Sequence, residues 1–314
     1  MTDAQTRPLL VGTRASPLAL WQARDFLARL RHHSPDGQFE EHAIRTTGDA
    51  VQDRPLADIG GKGLFAKEIH EALSAGRVDF AVHSLKDLET ELPPGIVLAC
   101  TLPREDCRDA LILAAVPASQ DDKPYAALPE GALIGSSSVR RQAQMLHARP
   151  DLRFALLRGN VQRRLDRVRQ GDFAASVLAM AGLRRLGMEH EAGIVLEPSV
   201  MLPSACQGIV GVTVRTADAG LRQMLAEIED ADAHSIATAE RALLAALDGS
   251  CHTPIAGLDH ILPDNTLHLE GLVARADGSF LLRRSSAGPR ADAARIGREL
   301  GAELRADSPR DIFA

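Results

Sequence analysis

Residues 132–180 read ALIGSSSVRRQAQMLHARPDLRFALLRGNVQRRLDRVRQGDFAASVLAM, and this stretch decides the fold. Ala132–Ser136 is a short apolar run, and a helical spacing of apolar residues follows from Val139 to His147. Phe154–Leu157 and Val161–Gln170 repeat that pattern, and Phe173–Met180 is a third strand-like run. Strand-length apolar runs alternating with amphipathic segments predict β-α-β units, in which parallel sheets are covered by helices.

The same rhythm extends toward the N-terminus. Leu9–Thr13 reads as a strand and Pro17–Arg31 as a helix with proline near its first position. Phe39–Thr46 is a strand, Leu64–Ala75 a helix closed by Gly76, and Val78–His83 a strand. Ile96–Thr101 and Ala110–Ala115 follow as strands. Two such halves, joined near Leu102–Cys107, make a pair of α/β lobes around a cleft. Gly208–Arg215 is a late apolar strand that can cross back into the first lobe. Beyond it the character changes. Leu221–Ile228 and Ala233–Leu247 read as helices, hairpin turns fall at Asp264-Asn265 and Asp277-Gly278, and an amphipathic helix runs about Ala291–Arg305. The expected division is residues 1–102 with 209–226 as lobe 1, 103–208 as lobe 2, and 230–314 as a smaller α+β domain. Pro117–Pro124 reads as a polar surface loop.

Composition narrows the function. A chain of 314 residues with 45% apolar content can bury two or three cores. No run reaches the length of a membrane-spanning helix. Met1–Leu10 lacks a basic start followed by a long apolar run, so no secretory leader is expected. Cys100, Cys107, Cys206 and Cys251 are too few and too unevenly spaced for a disulfide framework, which fits a reducing cytoplasm. No cysteine and histidine spacing suggests a metal. A net charge of −6 and 3% aromatic residues argue against nucleic-acid binding, which needs broad phosphate neutralisation and stacking surfaces.

The basic residues are lopsided: only four of 36 are lysines. Codon bias accounts for part of this, but position matters more. Helix N-termini attract anions, and a cation in the first turn is normally unfavourable. Here arginines recur at strand-to-helix junctions. They occur in Thr13-Arg14-Ala15-Ser16, in Ser136-Ser137-Ser138-Val139-Arg140-Arg141, in Arg158-Gly159-Asn160 with Arg163-Arg164, and in Gly182-Leu183-Arg184-Arg185. Ligands of parallel α/β sheets bind at those junctions. The planar guanidinium binds carboxylates in bidentate fashion, so the pattern predicts a site for a small polycarboxylate. Solvated arginines paired with nearby acids are the competing reading.

Three further segments attract attention. Lys86-Asp87 follows a strand and offers a cation beside a carboxylate for proton handling. Gly60-Gly61-Lys62-Gly63 is not a Walker loop, since no Ser or Thr follows the lysine. It reads equally as a lid carrying Lys62 to the cleft or as a surface loop. Cys251 lies in Asp248-Gly249-Ser250-Cys251-His252-Thr253-Pro254, a tight loop after a helix. Local sequence favours a small buried hydrophobe there over a nucleophile activated by nearby arginines.

In combination and in order, these segments resemble the porphobilinogen deaminase (hydroxymethylbilane synthase) family along nearly the whole chain. The matching stretches are Thr13–Gln22, Gly60–Phe65, Ala81–Asp87, Ser137–Gln142, Leu157–Val161, Ala181–Gly187, Gln207-Gly208 and the Cys251 loop. The resemblance implies two lobes like type II periplasmic binding proteins and a third domain bearing Cys251. It implies a transferase of tetrapyrrole (heme) biosynthesis that joins four porphobilinogens into hydroxymethylbilane with release of ammonia. The primer it implies is a dipyrromethane cofactor attached to Cys251. By the same resemblance Asp87, Lys86 and Arg14 are catalytic. Lys86, Asp87, Ser138, Arg140, Arg141, Arg158 and Arg164 would hold the cofactor, and Arg14, Ser16, Arg158, Arg164, Arg185 and Lys62 the substrate. A cytoplasmic monomer without metal, membrane or nucleic-acid partner is expected. Three positions depart from the family's usual pattern: Leu88-Glu89 stands where Val-Pro is common, Cys107 where proline is common, and the 117–124 loop is longer. A non-catalytic two-lobed binding protein would explain the arginines but neither Cys251 nor Lys86-Asp87.

Overall fold

The structure is a computed structural model, and it describes residues 7–50, 63–115, 125–247 and 253–313. The chain begins with β1 (Leu9–Arg14), α1 (Pro17–His33), β2 (Phe39–Ile44), the single turn α2 (Thr47–Ala50), α3 (Lys67–Ser74), β3 (Phe80–Ser84) and β4 (Ile96–Thr101). It continues with β5 (Asp109–Leu113), β6 (Leu133–Ser136), α4 (Val139–Ala148), β7 (Arg153–Leu156), α5 (Val161–Arg169), β8 (Ala175–Ala179), α6 (Met180–Arg185) and β9 (Ile194–Leu196). Then come β10 (Val210–Arg215), α7 (Ala219–Ala226), α8 (Ala231–Leu247), β11 (Ile255–Ile261), β12 (Thr266–Ala274), β13 (Leu281–Pro289) and α9 (Ala293–Asp307).

Two five-stranded sheets result, ordered β2-β1-β3-β10-β4 and β7-β6-β8-β5-β9. The parallel pairing expected from the β-α-β rhythm holds for β2-β1-β3 and β7-β6-β8. It fails at one strand in each sheet. β10 runs antiparallel to β3 and β4, and β5 runs antiparallel to β8 and β9. The reason is topological. β5 follows a segment arriving from the first sheet, and β10 follows one arriving from the second. Each enters its new sheet from the end where the parallel strands finish, so each runs the opposite way. The two crossing segments, 102–108 and 197–209, therefore lie under the ends of the strands, where α/β sheets bind ligands.

Packing follows the periodicity of the elements. α1 buries Ala19, Ala23, Phe26, Leu27 and Leu30, the one-sided stripe expected of a surface helix. Phe26 meets Phe80 of β3 edge-on at 5.6 Å, within a core that also holds Val11, Val82, Val210 and Val212. The second lobe is filled by Leu111, Ile134, Met145 and Val177 on one side of its sheet, and by Leu157, Leu165, Val168 and Leu183 on the other.

The last third is an antiparallel sheet, β11-β12-β13, packed on α8 and α9. Gly297 and Gly301 of α9 lie so close to the α8 backbone and Ala246 that a side chain would not fit. A buried ion pair fastens this unit to the lobes. Arg104, in the first crossing segment, donates to Glu240 of α8 at 2.8 Å, to the Asp259 carbonyl at 3.3 Å and to the Gln207 carbonyl at 2.9 Å. Glu240, fully buried, also accepts from the amides of Cys206 and Asp259.

Candidate active site

The predicted residues fall where the strands of both sheets end. Arg14 closes β1, and Ser16 caps α1 by accepting from the Ala19 amide at 3.3 Å. Lys86 and Asp87 occupy a 3-10 turn directly after β3. Ser138 caps α4, accepting from the Arg141 amide at 3.4 Å, and Asn160 caps α5, accepting from the Arg163 amide at 2.9 Å. Such caps stabilise a helix start by about 1 kcal/mol. They let α4 and α5 carry arginines in a turn that otherwise favours acids: neither first turn contains one. Arg185 ends α6. Lys62 and Cys251 lie outside the described residues, as do the remaining glycines before Gly63 and the Pro117–Pro124 loop.

The first lobe contributes a small cleft lined by Arg14, Gln22, Phe65, His83, Ser84 and Asp87. Arg14 stacks on the Phe65 ring at 4.0 Å and binds Asp49 of α2 through Nε at 3.1 Å. Burial pushes the Asp49 carboxyl up, but Arg14, Thr46 and Arg158 together hold it below the usual range. Across the cleft, buried Arg158 donates from Nη2 to the Gly48 carbonyl at 3.1 Å, so the two lobes touch at α2. His83 is buried, with Nε2 3.1 Å from Thr213 Oγ1. Burial, then the nearby His70, Arg14 and Arg241, push it down to about 3, so it is a neutral wall. Asp87 is exposed, and among the described residues nothing hydrogen-bonds its carboxylate.

Lys86 points the other way. Its Nζ donates to Gln207 Oε1 at 3.1 Å, and Gln207 donates in turn to the Cys107 carbonyl at 2.7 Å and Asp109 Oδ1 at 2.8 Å. Enclosure pushes the Lys86 ammonium down to about 8, even though Asp87 and Asp109 favour its charge.

Arg140 and Arg141 are where the structure refines the sequence reading most. Both are buried, and both are engaged. Arg140 Nη2 and Arg141 Nη2 bind the two oxygens of Asp109 at 2.8 and 2.7 Å, while their Nη1 atoms bind the Leu202 and Val177 carbonyls at 2.7 Å each. Asp109 is fully buried, and the two guanidiniums outweigh that burial and hold its carboxyl far below the usual range. What remains for a ligand is an edge: Arg141 Nε is buried with no hydrogen-bond partner.

Arg164 differs. Its Nε donates to the Gly159 carbonyl at 2.9 Å, and it forms no ion pair among the described residues. Burial, then the neighbouring cations Arg141, Arg158 and Arg14, push its guanidinium down to about 10, with Asp87 acting against them. Arg185 donates to the Gly208 carbonyl at 2.7 Å and lies 5.7 Å from the ring of Trp21, at the outer edge of the cleft.

This is a site with a surplus of half-buried cations, one exposed carboxylate and donors from both lobes. Comparison with known proteins assigns the chain to a family. Residues 9–223 match the family model "Porphobilinogen deaminase, dipyromethane cofactor binding domain", and residues 235–306 match "Porphobilinogen deaminase, C-terminal domain". The chain belongs to the porphobilinogen deaminase family. The porphobilinogen deaminase of Paracoccus denitrificans is 49% identical over 100% of this chain and 98% of its own length. That of Syntrophobacter fumaroxidans is 43% identical over 100% and 98%, and the chloroplastic protein of Oryza sativa is 42% identical over 99% and 87%. Among solved structures, the periplasmic aliphatic sulphonate binding protein SsuA of Escherichia coli aligns at 13% identity and a TM-score of 0.40, over 77% of this chain and 70% of that one.

The residues present fit the dipyrromethane group that this family's domain binds. Such a group carries several carboxylates, and among the described residues the cleft holds an Arg164 without an ion pair, an Arg141 Nε without a hydrogen-bond partner and a Lys86 bonded to a neutral amide. Sequence reasoning missed Asp49, Phe65 and Asp109 as members of the site. Asp109 carried a signal: a lone acid opening the apolar run Ala110–Leu113 must find cations if that run is buried. Gln207 was legible as part of a matching stretch but not as the link between Lys86 and Asp109.

Proposed function

We propose that this chain joins four porphobilinogens head to tail into hydroxymethylbilane, releasing ammonia, on a dipyrromethane primer carried by Cys251. The observation that carries this reading is Asp87. It is an exposed carboxylate with no hydrogen-bond partner among the described residues, set among Arg14, Lys86 and Arg164, whose charges call for anions.

When bound, the primer supplies the nucleophilic pyrrole carbon to which substrate is joined. The protein's own groups do the rest. Lys86, Arg164, Arg158 and the free edge of Arg141 hold primer carboxylates, with Arg140 and Ser138 supporting that wall. Arg14, Ser16, Arg158, Arg164 and Arg185 receive the acetate and propionate of the incoming porphobilinogen, with Lys62 joining from the segment before Gly63. Asp87 passes a proton to the departing amine, and its carboxylate then faces the cationic pyrrole left behind. A carboxylate placed where positive charge develops lowers the barrier without having to reorganise. Neighbouring cations keep substrate carboxylates from competing for that place.

In this reading residues 1–102 and 209–226 form the lobe bearing Asp87, residues 103–208 the lobe bearing the arginines, and 230–314 the domain bearing Cys251. The enzyme works as a cytoplasmic monomer without nucleic-acid or membrane partner. Cys100, Cys107 and Cys206 are free thiols, and no described helix is long and apolar enough to cross a membrane. The test is the intact mass of the denatured protein. It should exceed the sequence mass by two linked pyrrole units, and Cys251→Ser should lack that surplus. An unmodified wild-type mass together with no consumption of porphobilinogen overturns the reading in favour of a binding protein.

A further inference from the structure

Because nothing among the described residues hydrogen-bonds the Asp87 carboxylate, its direction is set by its backbone alone. That backbone is a three-residue 3-10 turn, closed by one bond from the Leu88 amide to the Leu85 carbonyl at 3.1 Å. A turn this short holds its shape weakly unless something outside fixes it. At its start, the Leu85 amide donates to the Ile209 carbonyl at 3.0 Å and Lys86 to Gln207; after it, the anchor comes two residues later, at Glu89. Its Oε1 lies 3.2 Å from Nδ1 of His70 on α3, with side-chain exposures of 15% and 4%. The same carboxylate lies beside Gly63, where an added Cβ would come within 3.1 Å of it at a φ of +77°. From the third domain, Arg241 donates to the carbonyls of Glu89 and Thr90 at 2.8 and 3.0 Å. Behind His70 stands the ring of His83, at 5.3 Å.

We propose that Glu89 and His70 are positioning residues: their contact tethers the turn and holds Asp87 at the mouth of the cleft. This rests on the reading of Asp87 given above. The pair is poorly explained as a source of stability, since both ring nitrogens of His70 and Oε2 of Glu89 are buried without a hydrogen-bond partner among the described residues. It is well explained as a tether. A proline at position 89 would fix φ near −65° covalently. Leu88, at φ −90° and ψ 135°, already has the extended conformation that a residue before proline adopts. In this chain, a contact between side chains does what a ring would do.

The test uses the full-length, cofactor-loaded protein. Glu89→Gln and His70→Gln should each lower kcat about tenfold with little change in KM, because a misaligned group costs rate more than binding. The double variant should be no worse than either alone, as for two members of one pair. Glu89→Pro should keep kcat within about threefold of wild type and make it indifferent to His70→Gln. Independently of activity, amide exchange across residues 85–92 should quicken in Glu89→Gln and not in Glu89→Pro. The proposal is overturned if Glu89→Gln keeps full kcat and wild-type exchange, or if the Glu89 and His70 losses simply add. It is also overturned if a folded Glu89→Pro is as slow as Glu89→Gln. A wild-type protein that consumes no porphobilinogen would fail the functional reading instead, while the exchange measurement would still report on the tether.

Discussion

Arg140-Arg141 and Arg163-Arg164 look alike in sequence, yet they end in opposite electrostatic situations. The first pair sits behind Ser138, the second behind Asn160, each in the first turn of a helix. Arg140 and Arg141 share the fully buried carboxylate of Asp109. Arg164, on the neighbouring helix, has a carbonyl for a partner and no carboxylate among the described residues. The first cluster has a counter-ion in the fold, and that counter-ion holds the floor of the cleft together. In the second, Arg164 has none among the described residues, and the proposed ligand would supply it. An arginine's place in a motif therefore says little about its role. What counts is whether the fold supplies its counter-ion.

The sharpest way to break this contrast is to remove the counter-ion. Asp109→Asn leaves two buried guanidiniums sharing a neutral amide. Removing one partner of a buried pair costs about 3–5 kcal/mol, because the remaining charge stays uncompensated. Urea unfolding should show a loss of that size. A loss below about 1 kcal/mol would mean that Arg140 and Arg141 find water, and the floor would then resemble an ordinary surface pair.

The opposite behaviour is expected at Arg164. Arg164→Gln removes a cation that burial already disfavours, so unfolding stability should stay within about 0.5 kcal/mol of wild type or rise. Function should suffer instead. A hydrogen bond to a charged group is worth about 1.5–3 kcal/mol, so KM for porphobilinogen should rise about tenfold or more. Equal losses of stability at Asp109 and Arg164 would erase the distinction between floor and wall.

The sequence reached the architecture because the architecture is local. Apolar runs such as Phe173–Met180 and the stripe Ala19, Ala23, Phe26, Leu27, Leu30 announce their elements without knowledge of any partner. What stayed hidden was long-range. The antiparallel course of β5 and β10 depends on which lobe the chain comes from, and nothing in either strand records it. The commitment of Arg140 and Arg141 to Asp109 spans 31 and 32 positions. The site was legible as a set of residues, through their order along the chain. Its internal division was not, since the hydrogen bond from Lys86 to Gln207 spans 121 positions. Glu89 could be noticed only as a departure from proline, and its partner His70 only in three dimensions.

The smallest expected effect refines the wall rather than the floor. Burial pushes the Lys86 ammonium down to about 8, with Asp87 and Asp109 favouring the charge and Arg141 and Arg140 opposing it. The sign follows directly. Below that value Lys86 is a cation ready for a carboxylate; above it the free site is neutral, and a ligand must first draw a proton back from solvent. Primer binding should therefore weaken as pH rises, and the dissociation constant of a dipyrromethane for the cofactor-free Cys251→Ser protein should rise about threefold from pH 7 to pH 8.3. Lys86→Arg should flatten that rise, because a guanidinium does not lose its proton in this range. The contrast with Asp109 then becomes quantitative. Asp109 is held so far below its usual range by its two arginines that it stays charged throughout, so the floor should be insensitive to pH in the window where the wall titrates. A dissociation constant that stays flat to pH 9 would mean that Lys86 does not grip the primer as a cation, and its place in the wall would fail.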